Sequence, residues 1–297
     1  QTLSNSVLDN YHHLGDAGSL TDGLPYNPAL KPYEVAKDGK SSGTPDDMWA
    51  FTSRDPNRDF NAATMFAAAS RALRGYNDEL ADRALKQSRR LLKEATELMA
   101  AQPQDGFRRR GGGGNISANL QLYIATGEQQ YLDQFEAMLW PSLDRNVNFS
   151  LQTALDAIPY LGDEYKEKLR PYVEKFRTYV EELEDNNPYG VPIGLGNWAG
   201  GGQILSHGTT VCYASIYFPD IMDKSHAYKA AEWHFGRHPY HNYSLVAAVG
   251  AARPKEVFYG NNRADFSAIP GNVAPGLLFR HPDHFENYDD WPFFWGQ

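Results

Sequence analysis

The chain has 297 residues with 41% hydrophobic and 13% aromatic content, enough to bury a sizeable core as one large domain or two small ones, and it does not have the composition of a disordered chain. A formal net charge of -9 argues against nucleic acid or an anionic membrane surface as the main partner. No apolar run approaches the roughly 20 residues of a membrane span, and the single cysteine, Cys212, excludes an internal disulfide and a thiolate metal cluster.

Residues 1–59 read as irregular, with Pro25, Pro28, Pro32 and Pro45 as breakers. They carry His12, His13, Asp16, Asp22, Trp49 and Arg54, a polar and aromatic mix suited to lining a cleft and equally to an ordinary surface loop. Helical periodicity then begins. Residues 61–76 form an Ala-rich helix with apolar positions at Ala62, Met65, Phe66, Ala69 and Leu73, and Gly75 near its end. Asp78 is placed to cap a second helix over 79–100, whose basic face (Arg83, Lys86, Arg89, Arg90, Lys93) reads as solvated. A loop over 102–114 holds Arg108, Arg109 and Arg110 and a run of four consecutive glycines, without the Lys-Ser/Thr ending of a phosphate loop. Further helices fall at about 115–125, 128–139, 149–159, 163–184, 203–217 and 223–235. Short Gly and Pro connections between them suit antiparallel helix hairpins, and no alternating run argues for a sheet. Eight helices in hairpins with long loops on one side imply an all-α (α/α) toroid or barrel rather than a four-helix bundle.

Two loop regions carry the chemistry. Residues 187–202 form a glycine-dense approach to a helix in which Trp198 stands among side chains too small to cover it, either a core plug or a platform for a sugar ring. The chain closes on Tyr288, Asp289, Asp290, Trp291, Pro292, Phe293, Phe294, Trp295, Gly296 and Gln297. Aromatic faces stack on the apolar faces of sugar rings, and partial desolvation tunes the pKa of a carboxylate set among them. The bland alternative is a tail whose aromatics plug a groove.

The spacing of this tail, Tyr288-x-Asp290 and then Trp295, resembles the aromatic-x-Asp-x4-aromatic-x3-Glu signature of the family 9 glycoside hydrolases. The likeness extends upstream. Phe66-Ala67-Ala68-Ala69-Ser70-Arg71 with Tyr76-Asn77-Asp78 resembles the family's Ala-Ala-Ala-Ser-Arg helix pair. Leu122-Tyr123-Ile124-Ala125-Thr126-Gly127 with Tyr131-Leu132 is similar to its Leu-Tyr-x-x-Thr-Gly hairpin, and Asn197-Trp198 to its Trp-Gly-Ser-Asn loop. His234-Phe235-Gly236-Arg237-His238-Pro239 stands where the family has Leu-Gly-x-Asn-Pro, and Ser244-Leu245-Val246 with Gly250 resembles Ser-Tyr-Val-Thr-Gly-Phe-Gly.

The resemblance implies an (α/α)6 barrel of which residues 1–297 form part of one catalytic domain: 1–59 cleft-lining loops, 60–236 helical hairpins, 237–297 active-site loops and tail. It implies an inverting glycosidase acting on β-linked glycans, in which an Asp base activates water and a Glu acid protonates the leaving oxygen across roughly 6.5–9.5 Å. Asp290 then supports the acid, Tyr288, Trp291, Trp295 and Trp198 stack on sugars, and His13, His241 and Arg263 bond hydroxyls. The implied partner is an oligo- or polysaccharide together with the remainder of the domain, in a secreted or periplasmic protein, with no metal or other cofactor.

Three departures mark the chain. The Pro-His-His-Arg expected after Gly250 is absent, leaving Asn261-Asn262-Arg263 as the nearest substitute. Asp16-Ala17-Gly18-Ser19 resembles the family's Asp-Ala-Gly-Asp, but Ser19 replaces the base and the spacing to Ala67 is short, so the match is read as coincidence. The acid Glu is expected two positions beyond Gln297. An isolated chain of this length is therefore expected to be hydrolytically dead or nearly so. Two rival readings stay open: a polysaccharide lyase or unsaturated-uronide hydrolase using Tyr240, His241, Asn242 and Arg263, and a non-catalytic carbohydrate-binding fragment.

Overall fold

Asp55 starts the first helix because its extended backbone leaves the carboxylate free to accept from the Asn57 N–H at 3.0 Å, and Pro56, which has no N–H to lose, takes the first turn. The structure, a computed structural model, describes residues 22–31, 33–44, 55–101, 114–187, 189–194, 200–237, 242, 244–250, 270–271 and 273, and the backbone alone at 11–16, 47–51 and 112–113. The chain divides into two compact units, one comprising Arg54–Asn197 and Gly202–Glu232, the other the remaining residues.

The first unit is helical. Helix α1 (Pro56–Leu73) and helix α2 (Asp78–Ala101) are joined at Gly75, whose φ of 84° is one that side-chain-bearing residues rarely adopt. The cap of α2 is Asn77 rather than Asp78: Asn77 Oδ1 accepts from Leu80 N at 3.0 Å, while Asp78 Oδ1 turns back to Gly75 N at 3.0 Å. Asn is as good a cap as Asp and sits one residue earlier, where the first intrahelical carbonyl begins. Alanines let α1 and α2 approach closely, and Ser88 Oγ donates to the Ala63 carbonyl at 2.7 Å in the buried seam. Phe60, Ala63 and Ala67 pack there with Leu91, Leu92 and Ala95. The basic side chains of α2 are solvated as expected, with Arg90 paired to Glu94 at 2.8 Å and Arg89 to Glu128.

Helix α3 (Gly112–Thr126) and helix α4 (Gln129–Arg145) form the next hairpin, turning at Gly127. Helix α5 runs over Val147–Asp185, but Gly162 at φ 79° and ψ -170° breaks it into the two helices the sequence separates there. Tyr165 Oη donates to the Ala154 carbonyl at 3.0 Å across that break and fixes the angle between its halves. Helix α6 (Gly200–Tyr217) and helix α7 (Ser225–His234) complete the series; a Cβ added at Gly208 would meet Ala230 Cβ at 2.8 Å, so these two helices pack through glycine. The larger core joins Leu120 of α3, Phe135, Leu139 and Leu143 of α4, Leu151, Leu155, Leu169 and Phe176 of α5, and Val211 and Phe218 of α6 and the turn after it. Each such buried side chain contributes about 1.5–3 kcal/mol.

In the second unit, strands β1 (Tyr11–Asp16) and β2 (Asp47–Phe51) pair antiparallel, with the register shifting between His13 and Gly15 so that Leu14 bulges. This corrects the reading of 1–59 as wholly irregular: the strands lie far apart in sequence, and Tyr-His-His-Leu-Gly-Asp shows no clean alternation. Between them, Asp22 accepts from Leu24 N at 2.9 Å and from Ser42 Oγ, which makes it a turn-forming residue of its own loop.

Candidate functional site

Of the expected site residues, Asp290, Trp198, His241, Arg263, Tyr288, Trp291 and Trp295 lie outside the described residues, and His13 enters only as a backbone position in β1 opposite Trp49. What the structure describes is the framework that carries their neighbours in sequence.

The segment leading to Trp198 is held at both ends within the helical unit. On its N-terminal side Asn187 satisfies three backbone groups with one side chain: Nδ2 donates to the carbonyls of Leu183 (2.6 Å) and Val191 (2.7 Å), and Oδ1 accepts from Tyr189 N (3.0 Å). On the far side, Gln203 Oε1 accepts from Gly194 N at 3.0 Å, and His207 lies 2.9 Å from the Pro192 carbonyl. A carbonyl only accepts, so Nδ1 of His207 carries the proton. Phe176 and Tyr179 meet this ring edge-on at centroid distances of 6.0 and 5.5 Å. Burial lowers the His207 pKa, opposed in part by the Pro192 bond, and the ring stays neutral. It is a structural histidine that fastens the glycine-dense loop to α6. Nothing in its spacing along the sequence distinguishes it from a surface residue.

The second framework belongs to the other unit and explains two motifs. Ser244 is fully buried; its Oγ accepts from Val246 N at 3.0 Å, while Leu245 N donates to the His234 carbonyl at 2.8 Å. Gly236 has φ 98°, and a Cβ there would lie 2.7 Å from the Asn242 carbonyl oxygen. Gly250 has φ 94° and would place a Cβ 2.9 Å from Ser244 Cβ. The Gly236 and Ser244…Gly250 motifs therefore form a knot of close backbone passages that a side chain would pry open.

Two carboxylates that the sequence did not single out are half or fully buried. Glu184 is 6% exposed at the end of α5; burial alone would raise its pKa, but hydrogen bonds from His226 and Lys229 outweigh this and hold it below the usual range. Asp156 is raised by desolvation, with Gln152 Nε2 donating to it at 2.9 Å and partly opposing the shift. Among the described residues no group of His, Cys, Asp or Glu is arranged to hold a metal ion, and no helix is long and apolar enough to cross a membrane.

Paired helices linked by glycine turns define a helical-hairpin protein of the (α/α) barrel class. The chain belongs to glycosyl hydrolase family 9, whose profile matches residues 38–295. Solved structures agree in fold. A family 9 protein from Bacteroides ovatus superposes with a TM-score of 0.60 at 16% identity, over 88% of this chain and 51% of that one. A mutant thermostable endoglucanase from Alicyclobacillus acidocaldarius gives 0.57 at 16%, over 85% and 50%. The endoglucanase of the termite Nasutitermes takasagoensis gives 0.52 at 14%, over 84% and 57%. The chain thus spans about half the length of the first two of these relatives. No curated protein matches it in sequence.

Proposed function

We propose that the protein takes part in hydrolysis of β-linked glycans of the cellulose, β-glucan or amino-sugar type by the inverting acid/base route. The observation that carries this reading is the family match, which runs through the aromatic-carboxylate tail to Trp295 and includes Asp290. In this reading Asp290 holds the protonation state of the neighbouring acid by like-charge repulsion and contacts sugar hydroxyls. Tyr288, Trp291, Trp295 and Trp198 are the stacking walls, and His13, His241 and Arg263 the hydroxyl-bonding groups. An extracellular or periplasmic location follows from a polymeric substrate that does not enter cells.

The test is titration and hydrolysis with cellohexaose, a chito-oligosaccharide and an oligogalacturonate, following the anomer first released by proton NMR. The neutral and amino sugars are expected to bind, and any product is expected to appear first as the α-anomer. Double-bond formation on the uronate, seen as new ultraviolet absorbance, would replace this reading with that of a lyase. Sugar binding with no turnover in the protein as its source makes it would replace it with that of a carbohydrate-binding protein.

A further inference from the structure

Residues 22–31 and 33–44 of the second unit belong to a loop locked by its own backbone. Asn27 N donates to the Ser42 carbonyl at 2.6 Å, Ala36 N to the Ser41 carbonyl at 2.9 Å, and Gly43 N to the Glu34 carbonyl at 2.8 Å. Ser42 is fully buried, and Tyr26 and Val35 are both bridged to it. A Cβ on Gly43 would collide with the Lys31 carbonyl, so only glycine lets the chain pass there.

Lys31 and Glu34 close a turn within this loop: Glu34 N donates to the Lys31 carbonyl at 3.0 Å, and Lys31 N donates to Glu34 Oε2 at 3.1 Å. The third residue of the turn is Tyr33, at φ 65°. A turn that needs positive φ there takes glycine or asparagine as a rule, because a Cβ in the left-handed region crowds the next carbonyl. Tyrosine holds the position at a cost in stability that its side chain does not offset. The residue is 83% exposed, and its ring makes no hydrogen bond or ring contact among the described residues. Backbone strain under a side chain that the fold does not use points to a role outside the fold.

We propose that Tyr33 is a stacking platform for a neutral glycan chain. Tyr26 and Val35, 40% and 51% exposed, are the other open apolar side chains of the same loop. The charges of residues 22–44 balance, with Asp22, Glu34 and Asp38 against Lys31, Lys37 and Lys40, in a chain whose net charge is -9. The loop therefore presents no net field to select an anionic or cationic partner. What it presents is an aromatic face with a phenol at its edge, which suits the apolar face and the hydroxyls of a pyranose ring. The locked turn holds that face in place before the ligand arrives, so little ordering opposes binding. The ligand class rests on the hydrolase reading above, whereas the choice of Tyr33 rests on its backbone and exposure.

The test compares wild type, Tyr33→Gly and Tyr33→Phe in binding to amorphous cellulose and to a soluble mixed-linkage β-glucan, with thermal melts of each. Tyr33→Gly is expected to bind both polymers about tenfold more weakly, the loss of one aromatic contact. Its melting midpoint is expected to rise by about 1–3 °C, because glycine relieves the strained turn. Tyr33→Phe keeps the ring and is expected to bind within about twofold of wild type at an unchanged midpoint. Wild-type binding that survives intact in Tyr33→Gly overturns the platform and leaves the hydrolase reading standing. A wild type that binds neither these polymers nor cellohexaose removes that reading, and the platform with it. A lower midpoint for Tyr33→Gly would show that the ring packs within the fold and would overturn the proposal. So would wild-type self-association in sedimentation velocity that Tyr33→Gly abolishes, since the loop would then dock a second copy of the chain.

Discussion

Nδ1 of His226 lies 2.9 Å from Oε1 of Glu184, on a carboxylate whose other oxygen is 2.6 Å from Lys229 Nζ. The contact ties α7 to the last turn of α5, and the Glu184 side chain is only 5% exposed. Replacing it by Gln keeps one oxygen for the His226 N–H but removes the carboxylate charge, while Lys229, half exposed, returns to water. Glu184→Gln is expected to cost about 1–3 kcal/mol at pH 7. Because the folded carboxyl is held below its unfolded value, the unfolded state takes up the proton first on acidification. The stabilisation is therefore complete above the unfolded value of about 4.3 and is lost as pH falls through the folded one. Thermal melts of wild type and variant between pH 7 and 3 should show a constant gap that closes at the acid end.

His207 titrates in a separate window. Its folded pKa is depressed by burial, so between the unfolded value of about 6.5 and the lower folded value the unfolded chain binds more protons, and stability falls with falling pH. His207→Gln should remove that slope while costing about 1–3 kcal/mol at pH 8 through the Pro192 contact and the ring packing. Two-dimensional NMR of the imidazole and denaturant titrations at pH 8 and 5.5 check both halves. An unchanged slope in the variant would mean that another histidine carries it.

Gly236 and Gly162 separate strain from collision. At Gly162 nothing lies within 4 Å of an added Cβ, so Gly162→Ala costs only the backbone conformation, about 1–3 kcal/mol. At Gly236 the same substitution adds contact with the Asn242 carbonyl oxygen at 2.7 Å and Ser244 N at 3.0 Å, and the knot has to open. Gly236→Ala should therefore be the more damaging of the pair, by chemical denaturation, and should expose the Ser244 region to proteolysis.

The helical frame was legible because periodicity over long segments is strong: all eight helices expected from 61 to 235 fall on described helices, and the break near 162 shows as Gly162. Misses came from local competition. Asn77 outranked Asp78 because the two adjacent residues are equally able caps, and only the carbonyl of Asn77 opens the helix. The β1–β2 ribbon escaped because pairing over 30 residues leaves no turn signature. Glu184, His207 and Ser244 are invisible to spacing arguments, since their roles come from partners 42, 15 and 10 residues away.

Trp198 is where the proposed function meets a measurement. It follows Asn197 in a glycine-dense segment whose preceding residues are anchored through Asn187, Gln203 and His207. If it stacks on a sugar that Asp290 also contacts, Trp198→Ala should weaken binding of a cello- or chito-oligosaccharide by about 1–3 kcal/mol, the scale of burying an aromatic face. Stability should change by less than the roughly 3–5 kcal/mol of a core Trp. Asp290→Asn should reduce affinity for the same sugars while improving tolerance of an oligogalacturonate, whose carboxylates an acidic cleft repels. Calorimetric titration and urea melts of both variants decide the matter. A collapse in stability with sugar affinity unchanged would make Trp198 a core residue and remove it, with its pairing to Asp290, from the site.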